Sequence, residues 1–81
     1  MRKTRFSEET MQMLKETYKP GYIVELIHMD DEAAPPAGTR GTIMLVDAIG
    51  TISVLWRGYG FLGLIYGVDE FKIVEEKEDG S

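Results

Sequence analysis

Few residues in this 81-residue chain could do chemistry, and their spacing narrows what that chemistry is. His28 is the only histidine, and Asp30, Asp31 and Glu32 follow it closely. An imidazole beside carboxylates can bind a divalent metal or serve as an acid–base pair. Side chains alternate along a strand, however, so His28 and Asp30 share one face while Asp31 takes the other. No second histidine and no cysteine can complete a transition-metal site, and calcium needs more oxygen ligands at a defined loop spacing. The segment reads as a solvated acidic loop, and neither a metal nor a cofactor is expected. Ser7, Ser53 and Ser81 lie in no nucleophile motif, and their base would have to be His28 or a lysine. Gly58-Tyr59-Gly60 opens no helix and has no Lys-Ser/Thr after it, so it is not a phosphate loop. Without an acid–base or nucleophile constellation, the expectation is a protein that is not an enzyme.

Recognition chemistry is better represented. Trp56 alternates with Val54 and reads as core, but Tyr59 sits on a glycine-flanked turn and Phe61 faces opposite Leu62. Aromatics held outward on tight turns are common binding anchors. Asp30, Asp31, Glu32, Arg57, Tyr59, Phe61 and Tyr66 are the candidate partner-binding residues. Phe61 has a second reading, in which it lies under an N-terminal helix. An acidic loop beside exposed aromatics is loosely how SH3 domains hold basic, proline-rich peptides. Alternatively, Arg40 and Arg57 clamp a phosphate while Tyr59 or Phe61 stacks a base, which would make a small nucleotide-binding protein.

Charge weighs between these readings. Residues 1–20 carry five basic groups against three acidic ones, and residues 21–81 carry four against eleven, so the net −5 hides a division into +2 and −7. An acidic β domain repels a phosphate backbone, because nucleic-acid affinity rests mainly on Lys and Arg. Nucleic acid is therefore disfavoured and a basic protein surface favoured. No apolar signal-peptide core follows the basic start, and no apolar run approaches the roughly 20 residues of a membrane helix. The absence of cysteine fits a reducing cytoplasm. A soluble, cytoplasmic protein is expected.

The elements that must position these residues follow from capping and periodicity. Ser7 is a good N-cap, Glu8 and Glu9 suit the helix dipole, and Phe6 with Met11 could form a hydrophobic staple. Met11, Leu14 and Tyr18 share a face, and Pro20-Gly21 stops the helix. Strands are expected over about 22–29, 39–47, 51–56, 61–65 and 70–75, with a single helical turn at Tyr66-Gly67-Val68-Asp69. Ile23 and Ile27 on the second face of the first strand imply a cover from the helix or a partner. The expected core is Val24, Leu26, Ile43, Val46, Ile52, Val54, Trp56, Leu62, Leu64, Phe71 and Ile73. A domain this small buries only about 60% of the surface that it exposes unfolded.

Five short strands with one long early loop make a small, mainly β, five-stranded SH3-like barrel, partly open, with one N-terminal α-helix. The parts are a flexible basic N-terminus (1–6), the helix (7–19), the barrel (20–75) and a disordered acidic tail (76–81), one domain in all. Open edge strands allow a homodimer by strand pairing.

From Pro20 to Phe71 the chain resembles a small bacterial and phage family, domain-of-unknown-function family 4314. The resemblance lies in Pro20-Gly21, in Val24-Glu25-Leu26-Ile27 leading to Met29-Asp30-Asp31, and in Pro35-Pro36-Ala37-Gly38-Thr39-Arg40-Gly41-Thr42. It continues through Val46-Asp47, Gly50, Trp56 and Gly67-Val68-Asp69. It implies a compact β domain and carries no activity across. The chain departs from the family pattern after Trp56, where Arg57-Gly58-Tyr59-Gly60-Phe61 brings two aromatics, and at Tyr66, where proline is the norm. The proline–glycine stretch is also similar to KOW-type barrels of ribosomal and transcription proteins. The leading expectation is a non-enzymatic protein-interaction module, an accessory protein of a phage or mobile element that docks on a host protein. The alternative is a KOW-like nucleic-acid or ribonucleoprotein binder.

Overall fold

Ser7 caps the first helix. In the computed structural model, which describes residues 6–77, its Oγ accepts the Thr10 N–H at 3.1 Å, and α1 runs Glu8–Thr17. Glu8 and Glu9 lie in the first turn, where the macrodipole favours them. The Tyr18 N–H closes the last turn onto Leu14 O, and the chain then turns away at Pro20-Gly21. Leu14 is fully buried. The expected N-terminal segment and acidic tail fall largely on residues 1–5 and 78–81, outside the described residues.

Five strands follow: β1 (Ile23–His28), β2 (Arg40–Val46), β3 (Ile52–Trp56), β4 (Gly60–Leu64) and β5 (Glu70–Glu75). They form one antiparallel sheet in the order β4-β3-β2-β1-β5, which is not closed. The mainly β, five-stranded open architecture with one N-terminal helix is thus the expected one. β1 to β4 are a meander, and β5 returns to the free side of β1. The turn into β2 uses Gly38 at φ +94°, with the Thr39 N–H donating to Pro36 O at 3.1 Å. That is a type II turn, whose third position needs a positive φ. The turn is fastened to β1 by Gly38 N–H to Leu26 O at 2.7 Å and Leu26 N–H to Thr39 O at 2.9 Å.

Alternation places Val24 and Leu26 of β1, Ile43 of β2, Ile52, Val54 and Trp56 of β3, and Leu64 of β4 in the core. Val46, Leu62, Phe71 and Ile73 pack against it from half-buried positions. Leu14, Tyr22 and Met29 are further core members, contributed by the helix and by the two flanks of β1. Trp56 fits because Gly41 faces it across the strand pair. A Cβ on Gly41 would stand 2.8 Å from Trp56 Cε3 and 2.5 Å from Val54 Cγ1. The Trp56 indole N–H donates to Leu62 O at 3.0 Å, so the largest core side chain buries no unmet donor.

Two features depart from simple alternation. The register between β2 and β3 slips at Met44, a bulge that leaves both Met44 and Leu45 exposed. On β1, Ile23 is half-buried but Ile27 remains exposed, because α1 places Leu14 among the inward side chains of the core while Ile27 alternates to the other face. The cover expected over Ile27 is not supplied by α1.

Candidate functional site

The β3–β4 hairpin starts from a backbone requirement. Its turn, Trp56 to Tyr59, is closed by the Tyr59 N–H on Trp56 O at 3.1 Å, with Gly58 at φ +81°. A Cβ at Gly58 would meet nothing within 4 Å, so the glycine serves the dihedral and not the space. The turn projects Tyr59, 57% exposed, from its tip, and Phe61, 68% exposed, from the outer face of β4. Phe61 stands opposite Leu55, itself 39% exposed. Of the two readings of Phe61, the exposed one is therefore correct; α1 does not cover it.

Strand direction brings the acidic loop to the same end. β1 ends at His28, β2 begins at Arg40, β3 ends at Trp56 and β4 begins at Gly60, so both connections leave the sheet on one side. Asp30, Asp31 and Glu32 are exposed there. Asp31 also shapes the loop: its Oδ1 accepts the Ala33 N–H at 2.8 Å and its carbonyl accepts the Ala34 N–H at 3.0 Å. Among the described residues no three of His, Asp and Glu gather as metal ligands.

Arg57 is exposed within the turn, and its backbone N–H donates to Arg40 O at 3.0 Å. The two arginines are thus neighbours, as a phosphate clamp would need. Arg40, however, directs its Nε to Glu25 Oε1 at 3.3 Å, and Lys72 Nζ approaches Glu25 Oε2 at 3.8 Å. Register makes a cross-strand row of Lys72, Glu25, Arg40 and Arg57 on the outer face. Arg40 is committed to that row, which weakens the clamp.

Tyr66 is not brought to this end. It follows β4, on the far side of the sheet, where its ring lies 6.5 Å from Phe6 and 6.3 Å from Tyr18. Tyr18 in turn is 5.4 Å from Phe71, which completes an aromatic set in which Tyr66 itself stays 38% exposed. Burial first, and the neighbouring Tyr66 second, raise the Tyr18 hydroxyl above its ordinary pKa. The turn at residues 65–69 is held by Asp69 N–H to Ile65 O at 2.9 Å and by Ile65 N–H to Asp69 Oδ2 at 2.8 Å. The buried Asp69 is thereby explained as a structural residue.

Sequence reasoning missed three exposed apolar side chains of the sheet, Leu55 opposite Phe61 and Met44 and Leu45 on β2. Leu55 follows from the alternation that turns Val54 and Trp56 inward. Met44 and Leu45 depend on the bulge, for which the sequence carries no signal. Among the described residues no helix is long and apolar enough to cross a membrane.

No curated protein and no solved structure matches the chain. A family model does match, that of Domain of unknown function (DUF4314), over residues 7–74. The match runs from the N-cap serine of α1 to the penultimate residue of β5, and the chain belongs to this family.

Proposed function

We propose that this chain is a non-enzymatic protein-interaction module that docks a partner on the end of the sheet marked by Tyr59, Phe61, Arg57 and the Asp30–Glu32 loop. The observation that carries this reading is the exposure of two aromatic rings on a hairpin fixed by its own backbone bonds. A ring already held in place loses little conformational freedom on binding and gains by burial, which is how interface anchors work. The acidic loop at the same end favours a partner with basic groups. The setting that accompanies this reading is a bacterial cytoplasm, with a phage or mobile-element accessory protein acting on a host protein.

The test compares wild type with Tyr59→Ala and with Asp30→Asn/Glu32→Gln, in affinity capture from a bacterial lysate followed by binding of the identified partner. Asp31 is left intact because it holds the loop. The expected outcome is at least a tenfold loss of affinity in both variants with unchanged melting. Unchanged binding would refute the assignment. Salt-sensitive retention on single-stranded nucleic acid, with no protein captured, would favour the KOW-like alternative.

A further inference from the structure

The two edges of the sheet differ in how they are protected. β5 carries Glu70, Lys72 and Glu75, all exposed, and charges on an edge discourage a further strand. β4, with the sequence Gly-Phe-Leu-Gly-Leu, carries no charge and no proline. It is also the edge with an exposed ring.

Backbone polarity shows which groups face outward from β4. Arg57 N–H bonds Arg40 O at 3.0 Å, and Asp47 N–H bonds Thr51 O at 2.9 Å. The odd-numbered residues of β3 therefore direct their backbone groups at β2, and Ile52, Val54 and Trp56 direct theirs at β4. Their partners Leu64, Leu62 and Gly60 are used in that ladder. The N–H and C=O groups of Phe61 and Gly63 point away from the sheet.

We infer that this edge pairs with β4 of a second copy of the chain, antiparallel about a two-fold axis at Leu62. In that register Phe61 stands opposite Gly63 of the partner subunit, and the outward-facing backbone groups of the two residues can exchange both hydrogen bonds. The side chains complement one another as well. Phe61 is the largest exposed group on the strand, and Gly63 has no side chain, the place of its Cβ being filled by the Thr51 γ-methyl. Each ring would pack on that methyl beside the glycine of the other subunit, a variant of the way aromatics cover edge glycines. Charge selects the same place. The chain has a net charge of −5, and β4 is an edge where two copies meet without bringing like charges together.

The inference rests on reading Phe61 as an interaction residue and names its occupant; Tyr59 and the acidic loop remain available to a different protein. The test measures mass by sedimentation from about 1 μM to 1 mM, alongside amide hydrogen exchange. The expected result is a concentration-dependent dimer in which the Phe61 and Gly63 amides gain protection together. Phe61→Lys, at an exposed site, should weaken it at least tenfold, while Tyr59→Ala leaves it intact. A monomer throughout would overturn the inference. So would a dimer in which those two amides stay unprotected, or one indifferent to Phe61→Lys. Should Phe61→Lys fail to fold, the exchange pattern of the wild type still decides. Partner capture lost in Tyr59→Ala but unrelated to dimerisation would leave the docking proposal standing alone.

Discussion

Six of the eight aromatic residues fall into two sets that differ in what surrounds them. Phe6, Tyr18, Tyr66 and Phe71 form a chain of ring contacts, one T-shaped and two tilted, that ties both flanks of the helix to β5 and to the turn after β4. Tyr59 and Phe61 share in no ring contact among the described residues and stand in solvent. Residue type does not separate the two sets, since each holds both tyrosine and phenylalanine. What separates them is reach: rings from the helix flanks meet Tyr66 and Phe71, and no other ring among the described residues meets Tyr59 or Phe61. An aromatic in the first set joins elements together, whereas one on the exposed hairpin is free to meet another molecule.

The largest effect that would sharpen this contrast is on stability. Phe71→Ala removes a half-buried ring that touches Tyr18 and the core, and should cost about 2–3 kcal/mol in denaturant unfolding. A loss under about 0.5 kcal/mol would mean that the helix end is not held by its aromatics.

A smaller effect should appear in the pH dependence. With the Tyr18 hydroxyl raised above its ordinary value of 10.0 by burial and then by Tyr66, the unfolded chain gives up this proton before the folded one does. Its contribution is therefore fully present below the unfolded value and lost as the pH rises through the folded one. Denaturant midpoints should fall above pH 10.0, and Tyr18→Phe should flatten that fall.

The smallest effect belongs to the other set. Tyr59→Ala and Phe61→Ala should change stability by no more than about 0.5 kcal/mol, because little is buried to lose. If either variant melts like Phe71→Ala, the contrast collapses and the hairpin is structural.

Much of the fold was legible because local rules and global packing agree. Ile52, Val54 and Trp56 alternate inward as written, Ser7 caps, and Pro36-Ala37-Gly38-Thr39 makes the turn that its residues demand. The site was legible only in part. Tyr66 stands close to Phe61 in sequence, but the five residues of β4 span about 17 Å and carry it to the opposite end. Phe61 faces away from Leu62 by alternation alone, yet whether the helix shelters that face is a tertiary question. The slip at Met44 arises from fitting two twisted strands together, and no residue type announces it.

The strand order has a consequence for how the domain is made. Three of its four pairings join consecutive strands, and each can zip from its own turn within microseconds. The fourth, β1 with β5, must wait for nearly the whole domain to be laid down and its ends gathered, an entropic delay that grows with the loop to be closed. Until that strand arrives, Val24 and Leu26 have a neighbour on one side only. The six residues of β5 thus close the domain, and their pairing with β1 completes a core that the local hairpins leave open on one side.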